Sequence, residues 1–244
     1  MSLFRQTSMP LMRISMLIAS LLLTGCSSIN LSSYTKQKDP FESFNRKVYN
    51  FNDALDRSVV KPVAQGYSKV MPGPAKTMVN NFFSNLDDVI VTFNDILQFK
   101  FRQAASDGAR VIFNSTFGLL GLINVTDRLE KHNEDFGQTL GYWGVPSGPY
   151  IVLPFLGPSS IRDGTGRYMD SFASVISNTK DVPVRNSTWA MEGVNTRAGL
   201  LEQEKVLDDA IIDRYSFLRD AYLMHRQSLV YDGDPPRQKF DDDE

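Results

Sequence analysis

The only cysteine in the chain, Cys26, follows ten mostly apolar residues, Ile14 to Leu23, and closes the tetrad Leu23-Thr24-Gly25-Cys26. Its chemistry is acylation. Arg5 and Arg13 form a positive leading region, Ile14 to Leu23 an apolar stretch of secretory-signal length, and Thr24-Gly25 the small residues that a signal peptidase needs. Ten residues are too few to span a bilayer. Cleavage before Cys26 would leave its thiol to carry a diacylglyceryl group and its new amine a further chain such as palmitate. At about 0.8 kcal/mol per buried methylene, several chains make the anchor effectively permanent. The tetrad therefore predicts a lipid-anchored bacterial protein facing the periplasm. Ser27, rather than Asp, after the cysteine points to the outer membrane. The competing reading is an ordinary secretory signal followed by a buried thiol.

Little else in the chain could do covalent chemistry. Ser147 lies in Gly144-Val145-Pro146-Ser147-Gly148, out of register with a nucleophile elbow, and its prolines oppose a strand-turn-helix there. Gly164-Thr165-Gly166 lacks the third glycine of a dinucleotide loop. His132 sits among Lys131, Asn133, Glu134 and Asp135 in a stretch that reads as a solvated loop, and His225 falls on a charged terminal helix. With one cysteine and two histidines, a structural metal site has too few ligands. No catalytic site, metal or cofactor is expected. The formal net charge of −2 becomes about −4 once residues 1–25, with two arginines and no acids, are removed, so nucleic acid is a poor partner.

The elements that position the remaining residues are helical. Residues 26–38 are polar and aperiodic and read as a tether. From Asp39 the 3-4-3-4 spacing of Phe41, Phe44, Val48, Phe51 and Leu55 predicts an amphipathic helix, with Asp39 as N-cap, Pro40 in first position and Glu42 closing a capping box. Lys61-Pro62 ends or restarts it. After Pro72-Gly73-Pro74, the spacing of Met78, Phe82, Leu86, Val89, Phe93 and Ile96 predicts a long helix whose other face carries Asn80, Asn81, Asp87 and Asp88. Ser159-Ser160-Ile161-Arg162-Asp163 reads as another helix start, running through Tyr168, Phe172 and Ile176. Two more helices are expected over Trp189 to about Lys205 and Asp208 to about Val230. No hairpin signal or run of alternating strands is present, so the fold class is mainly α, with one domain over residues 39–231. The acidic end, residues 232–244, is too charged to pack and reads as a disordered tail, either solubilising or a docking strip.

Two segments do not read as ordinary core. Val111 to Thr126 carries no charge over sixteen residues, about 24 Å as a helix against a hydrocarbon core of about 30 Å. Gly118 and Gly121 permit a bend. The segment is either a helical hairpin dipping into one leaflet or a buried helix that ends at the glycines. Phe113, Phe117, Gly118, Leu119, Leu120, Gly121, Leu122 and Ile123 are the lipid-contact candidates here, with Tyr49, Asn50 and Phe51 as neighbouring wall. Phe136 to Pro158 is rich in Gly, Pro and aromatics, and a loop of that length is usually functional. Tyr142, Trp143, Tyr150 and Phe155 are candidates for the membrane interface. Arg162 and Asp163 read either as a structural ion pair or as headgroup contacts.

Several strings, taken in order, resemble one family. Asp39-Pro40-Phe41-Glu42-Ser43-Phe44-Asn45-Arg46 with Tyr49-Asn50-Phe51-Asn52, then Phe136-Gly137-Gln138-Thr139-Leu140-Gly141 with Gly148-Pro149-Tyr150 and Leu153-Pro154-Phe155, then Arg162-Asp163, and finally Trp189 with Glu192-Gly193 and Thr196-Arg197, are similar to the MlaA (VacJ) outer-membrane lipoproteins. The likeness runs from about Asp39 to Tyr222. It implies a helical ring in the inner leaflet of the outer membrane, an amphipathic pore beside a mobile hairpin, association with trimeric porins, and delivery of misplaced outer-leaflet phospholipid to a soluble periplasmic carrier. A passive conduit of that kind needs no cofactor. A membrane-anchored lipid hydrolase and a purely structural envelope lipoprotein are the alternatives.

Overall fold

The structure is a computed structural model that describes residues 39–208 and 213–236. The expected signal segment, Cys26, the tether, the junction at 209–212 and the last residues of the acidic tail lie outside the described residues.

The first helical run is one rod in three parts. Helix α1 spans Glu42–Leu55, a wide π turn covers Asp56–Val60, and α2 spans Lys61–Val70. Pro62 accounts for the middle part: it has no N–H to offer the Ser58 carbonyl and its ring crowds that oxygen, so the turn before it opens. The start differs from the expectation. Phe41 occupies the cap position without a side-chain bond, while the Asp39 carboxylate accepts from Asn45 Nδ2 at 2.7 Å and from the Tyr215 hydroxyl. Glu42 pairs with Arg46 at 2.7 Å rather than closing a box.

Helix α3 (Gly73–Leu97) begins with Pro74 in its first turn, and α4 (Phe101–Phe117) folds back on it in the most extensive packing of the molecule. A short helix α5 (Phe136–Tyr142) follows, capped by Asp135 through the Gln138 N–H. Strands β1 (Tyr150–Leu153) and β2 (Gly157–Ser160) then pair antiparallel, Tyr150 opposite Ser160 and Leu153 opposite Gly157. This hairpin corrects the sequence expectation. Pro154 and Pro158 argue against strands, and the turn relies on Phe155 at φ 65° and Gly157 at φ 81° instead of an Asn-Gly pair. Its order comes from α1. Asn45 Nδ2 donates to the Tyr150 carbonyl at 3.1 Å and its Oδ1 accepts the Val152 N–H at 2.9 Å; one turn pair further on, Asn52 does the same for Leu153 O and Phe155 N at 3.0 and 2.8 Å. Two side-chain amides on one helix face thus stand in for a third strand.

Helix α6 (Ile161–Ala173) starts as expected, with Ser160 Oγ accepting the Asp163 N–H at 3.1 Å. Helix α7 (Val182–Gly199) is capped by Asp181, α8 is Leu201–Asp208, and α9 (Arg214–Val230) is capped by Asp213. Helix α7 lies on α2, joined by Tyr67 to Asn195 at 2.9 Å and by a two-pronged Arg197–Asp56 pair at 2.8 Å. The first residues of the acidic end belong to the closure of α9. Gly233, at φ 88°, returns its N–H to Ser228 O at 2.8 Å, and Asp232 pairs with Lys100 at 2.6 Å. The fold is mainly α, and no described helix is long and apolar enough to cross a membrane.

Candidate functional site: an apolar shell around a polar interior

The helices are amphipathic, but the polarity runs the wrong way for a protein in water. Among the described residues seven hydrophobic side chains are buried, against eighteen polar or charged ones. The expected core stripe of α3 is only partly inside: Met78, Phe93 and Ile96 are exposed and Phe82, Leu86 and Val89 half-buried, while Asn85, Asp88, Asn94 and Asp95 are buried; of the expected polar face, Asn80 and Asp87 stay exposed. Helix α1 repeats the pattern, with Phe41, Phe44 and Phe51 half exposed and Asn45 fully buried. Helix α4 buries Asp107, Arg110 and Asn114 at the spacing an apolar stripe would use. Soluble monomers rarely expose apolar surface on this scale without a partner or a bilayer to cover it.

Buried polar groups must find one another, and here they do so across the hairpin. Arg110 Nε meets Asp88 at 3.1 Å, Lys131 reaches the other Asp88 oxygen at 2.7 Å, and Asn85 donates to Ser115 at 2.9 Å. Near the hairpin tip, Gln98 and Lys100 both donate to Glu134, at 2.7 and 2.8 Å, and Thr139 donates to Asn94 at 2.8 Å. Single atoms of Asn85 and Gln138 lack a partner among the described residues, and Asp95 lacks one altogether. It is fully buried, and neither carboxylate oxygen meets a donor among the described residues. Burial, reinforced by Asp107 and Glu134 and only partly opposed by His132 and Lys100, pushes its carboxyl up to about 7. Uncharged, it can be tolerated there.

The turns carry a second signature. Phe99, Leu119, Leu120 and Phe155 all adopt left-handed backbone, at φ 62°, 53°, 59° and 65°, and all are highly exposed, at 70%, 62%, 72% and 73%. Such positions ordinarily take glycine or asparagine, because a Cβ there costs about 1–2 kcal/mol. In water these side chains return nothing for that strain. In hydrocarbon, burying a Leu or Phe gains about 1.5–3 kcal/mol, which outweighs it.

Within Val111 to Thr126, the bend occurs where the glycines predict it, but the returning limb is not helix. The segment up to Phe117 is the end of α4, after which the Gly121 N–H returns to Asn114 O at 2.9 Å and the Ile123 N–H to Gly118 O at 2.8 Å. Asn81 holds Leu122 O at 3.2 Å from α3, and Asn114 is tied to Thr126 and to the Val125 N–H. A Cβ on Gly118 would lie 2.0 Å from Ile123 O, and one on Gly121, at φ 90°, 2.7 Å from Asn85 Cβ. Both glycines are buried packing positions that hold the tip Leu119-Leu120 outward. Phe113 and Phe117 stack with centroids 6.0 Å apart on the exposed side of α4, and Ile123 is also exposed. Leu122 is half-buried.

The other candidates divide. Tyr142 and Trp143 are half exposed, the Trp143 indole donating to Leu97 O at 3.2 Å. Phe51 meets Phe155 edge to face at 5.5 Å on the surface, Asn50 is exposed, and Tyr49 turns inward to Tyr215 at 5.7 Å. Tyr150 is not interfacial: it sits 1% exposed in a small apolar cluster with Val152 and Tyr215, where burial raises its hydroxyl to about 12. Arg162 and Asp163 are not at the surface either. Asp163 accepts from Arg162 Nε and Arg226 Nη2, each at 3.0 Å, and from Tyr222 at 2.7 Å, and Arg226 also binds Asp135. Burial alone would raise Asp163, but the Arg226 charge and the Tyr222 hydroxyl hold it below the usual carboxylate range. His132 is not solvated: its Nδ1 lies 2.6 Å from buried Asp107. Ser147 offers its backbone carbonyl to the Arg162 N–H at 3.1 Å, and His225 is exposed on α9. The reading of the sequence missed Asn45, Asn52, Asp95, Asp107, Arg110 and Arg226. The signal was available in α4, where Gln103, Asp107, Arg110 and Asn114 recur at 4-3-4.

A profile of the MlaA lipoprotein family matches residues 37–229. The chain is 35% identical over 240 residues to the intermembrane phospholipid transport system lipoprotein MlaA of Escherichia coli K12, covering 93% of this chain and 94% of that one. It is 30% identical to the Haemophilus influenzae protein of the same name, covering 89% of each, and 31% identical to an uncharacterized protein of Rickettsia bellii, covering 83% and 81%. A solved chain from work on the structural basis for maintenance of bacterial outer membrane lipid asymmetry superposes with a TM-score of 0.69 at 32% identity, over 79% of this chain and 98% of that one.

Proposed function

The chain belongs to the MlaA lipoprotein family, and from that premise we propose that it serves intermembrane phospholipid transport at the outer membrane, taking misplaced outer-leaflet phospholipid through an amphipathic path toward a periplasmic carrier. It is a lipid-transport component and not an enzyme. The supporting observation is the set of exposed, left-handed Phe99, Leu119, Leu120 and Phe155, whose strain is offset only in a lipid environment. Acylation at Cys26 would anchor the body, the Ser/Lys-rich residues 26–38 would tether it, and the apolar shell would sink it partway into the periplasmic leaflet.

The physical task is to move a molecule with two incompatible ends. Acyl chains slide along apolar walls, whereas a headgroup dragged through hydrocarbon costs several kcal/mol unless polar groups or water accompany it. Apolar faces outside and polar faces inside the same helices supply both lanes. A trimeric porin would hold the protein in place, and the periplasmic carrier would receive the lipid.

Complementation tests the reading. In cells lacking the protein, the wild-type chain restores low outer-leaflet phospholipid and detergent resistance, as does Ser147→Ala. Leu120→Lys, which adds about 2.5–3.5 kcal/mol if the tip lies deep in lipid, folds but fails to restore them. Loss with Ser147→Ala and full activity with Leu120→Lys would favour a hydrolase and overturn the proposal.

A further inference from the structure

A cleft of ≈ 670 Å³ opens between the end of α4 and the run that follows the glycine turn, lined by Phe113, Phe117, Val125, Thr126, Asp127, Arg128 and Leu129. That volume is in the range of small-molecule sites. The stacked Phe113–Phe117 pair makes a flat apolar wall, and the exposed Leu119, Leu120 and Ile123 lie a few residues away on the same turn. Asp127 and Arg128 are both exposed, and among the described residues neither side chain has a hydrogen-bond or ion-pair partner, not even the other. Several buried or half-buried charges in this protein are paired, as in Arg110–Asp88, Arg197–Asp56 and Arg226–Asp135.

We propose that this cleft is a phospholipid subsite that prefers zwitterionic over anionic headgroups. The proposal rests on the transport reading above and narrows its substrate. One acyl chain lies against Phe113 and Phe117, the phosphate accepts from the planar Arg128 guanidinium, and the ammonium faces the Asp127 carboxylate. Both signs of charge at one mouth match a headgroup that carries both. An anionic phosphoglycerol headgroup satisfies Arg128 but is repelled by Asp127, and free phosphate leaves the aromatic wall unused.

The test places a photo-crosslinking phenylalanine analogue at Phe117 in the full-length chain in cells, with headgroups of the captured lipids read by mass spectrometry. The wild-type cleft captures ethanolamine over glycerol phospholipid by about fivefold relative to the bulk membrane, the ratio that one exposed charge contact of about 1 kcal/mol supports. Asp127→Lys abolishes or reverses the preference, and Arg128→Gln lowers total capture about fivefold. Both positions are exposed, so these variants keep the fold. Capture in the membrane's own proportions, unchanged by Asp127→Lys, overturns the subsite. If lipid is captured from an analogue at Phe155 but not at Phe117, the subsite fails and the transport reading stands. If neither position captures phospholipid, and loss of the protein leaves outer-leaflet lipid unchanged, the transport reading fails as well.

Discussion

Asn45 shows how much one side chain carries here: with a single amide it pairs the Tyr150 carbonyl, the Val152 N–H and Asp39. Asn45→Ala leaves buried backbone groups unpaired at about 1–3 kcal/mol each, so denaturation in nanodiscs is expected to show a loss of at least 1 kcal/mol. Asn52→Ala, at a less buried site, costs less. Arg226→Ala removes the charged hydrogen bonds to Asp135 and Asp163, leaving Asp163 with Arg162 and Tyr222 and Asp135 with the Gln138 N–H, and is expected to cost about 1–3 kcal/mol by the same measurement. Asp95 gives the pH dependence. Its folded carboxyl holds the proton more tightly than an unfolded one, so its contribution is full below about pH 4 and is lost as pH rises toward 7. Asp95→Asn therefore gains stability over wild type progressively across that window and keeps the gain above it; a melting-temperature difference independent of pH would refute this. None of these residues looked special in the sequence. Asn45 lay inside a recognisable string, but an asparagine on a helix announces nothing until the strand edge it completes is known.

Helices were legible because most carry two chemically distinct faces at helical spacing, and because Pro62, Pro74 and Ser160 act locally. The β1–β2 pair was not, since its order is lent by α1. The bend at Gly118 and Gly121 was legible, but the conformation of the returning limb was set by contacts with Asn81 and Asn85 on another helix. Gly118→Ala is expected to destabilise by about 2–4 kcal/mol, because its Cβ meets two backbone carbonyls that cannot yield. Leu120→Gly does the opposite. It relieves about 1 kcal/mol of left-handed strain while weakening retention by a bilayer, so thermal melting rises and vesicle flotation of the unacylated Cys26→Ala chain falls. If both fall together, the tip is core and not a lipid contact.

Amphipathic spacing reports that two faces differ and is silent on which one points inward. The apolar stripe of α3 was legible as a stripe, and only the structure shows that the buried positions of this helix include Asn85, Asp88, Asn94 and Asp95. The Leu23-Thr24-Gly25-Cys26 tetrad, the exposed left-handed Phe99, Leu119, Leu120 and Phe155 and the polar interior all fit the proposed arrangement, in which a body inverted for water is ordinary for a leaflet. The most direct measurement is quenching by brominated acyl chains in nanodiscs, with a single tryptophan placed at Phe117 or Phe155 after Trp143 and Trp189 are changed to phenylalanine. The account predicts strong quenching at both positions. Quenching no greater than that of a soluble tryptophan analogue would contradict it.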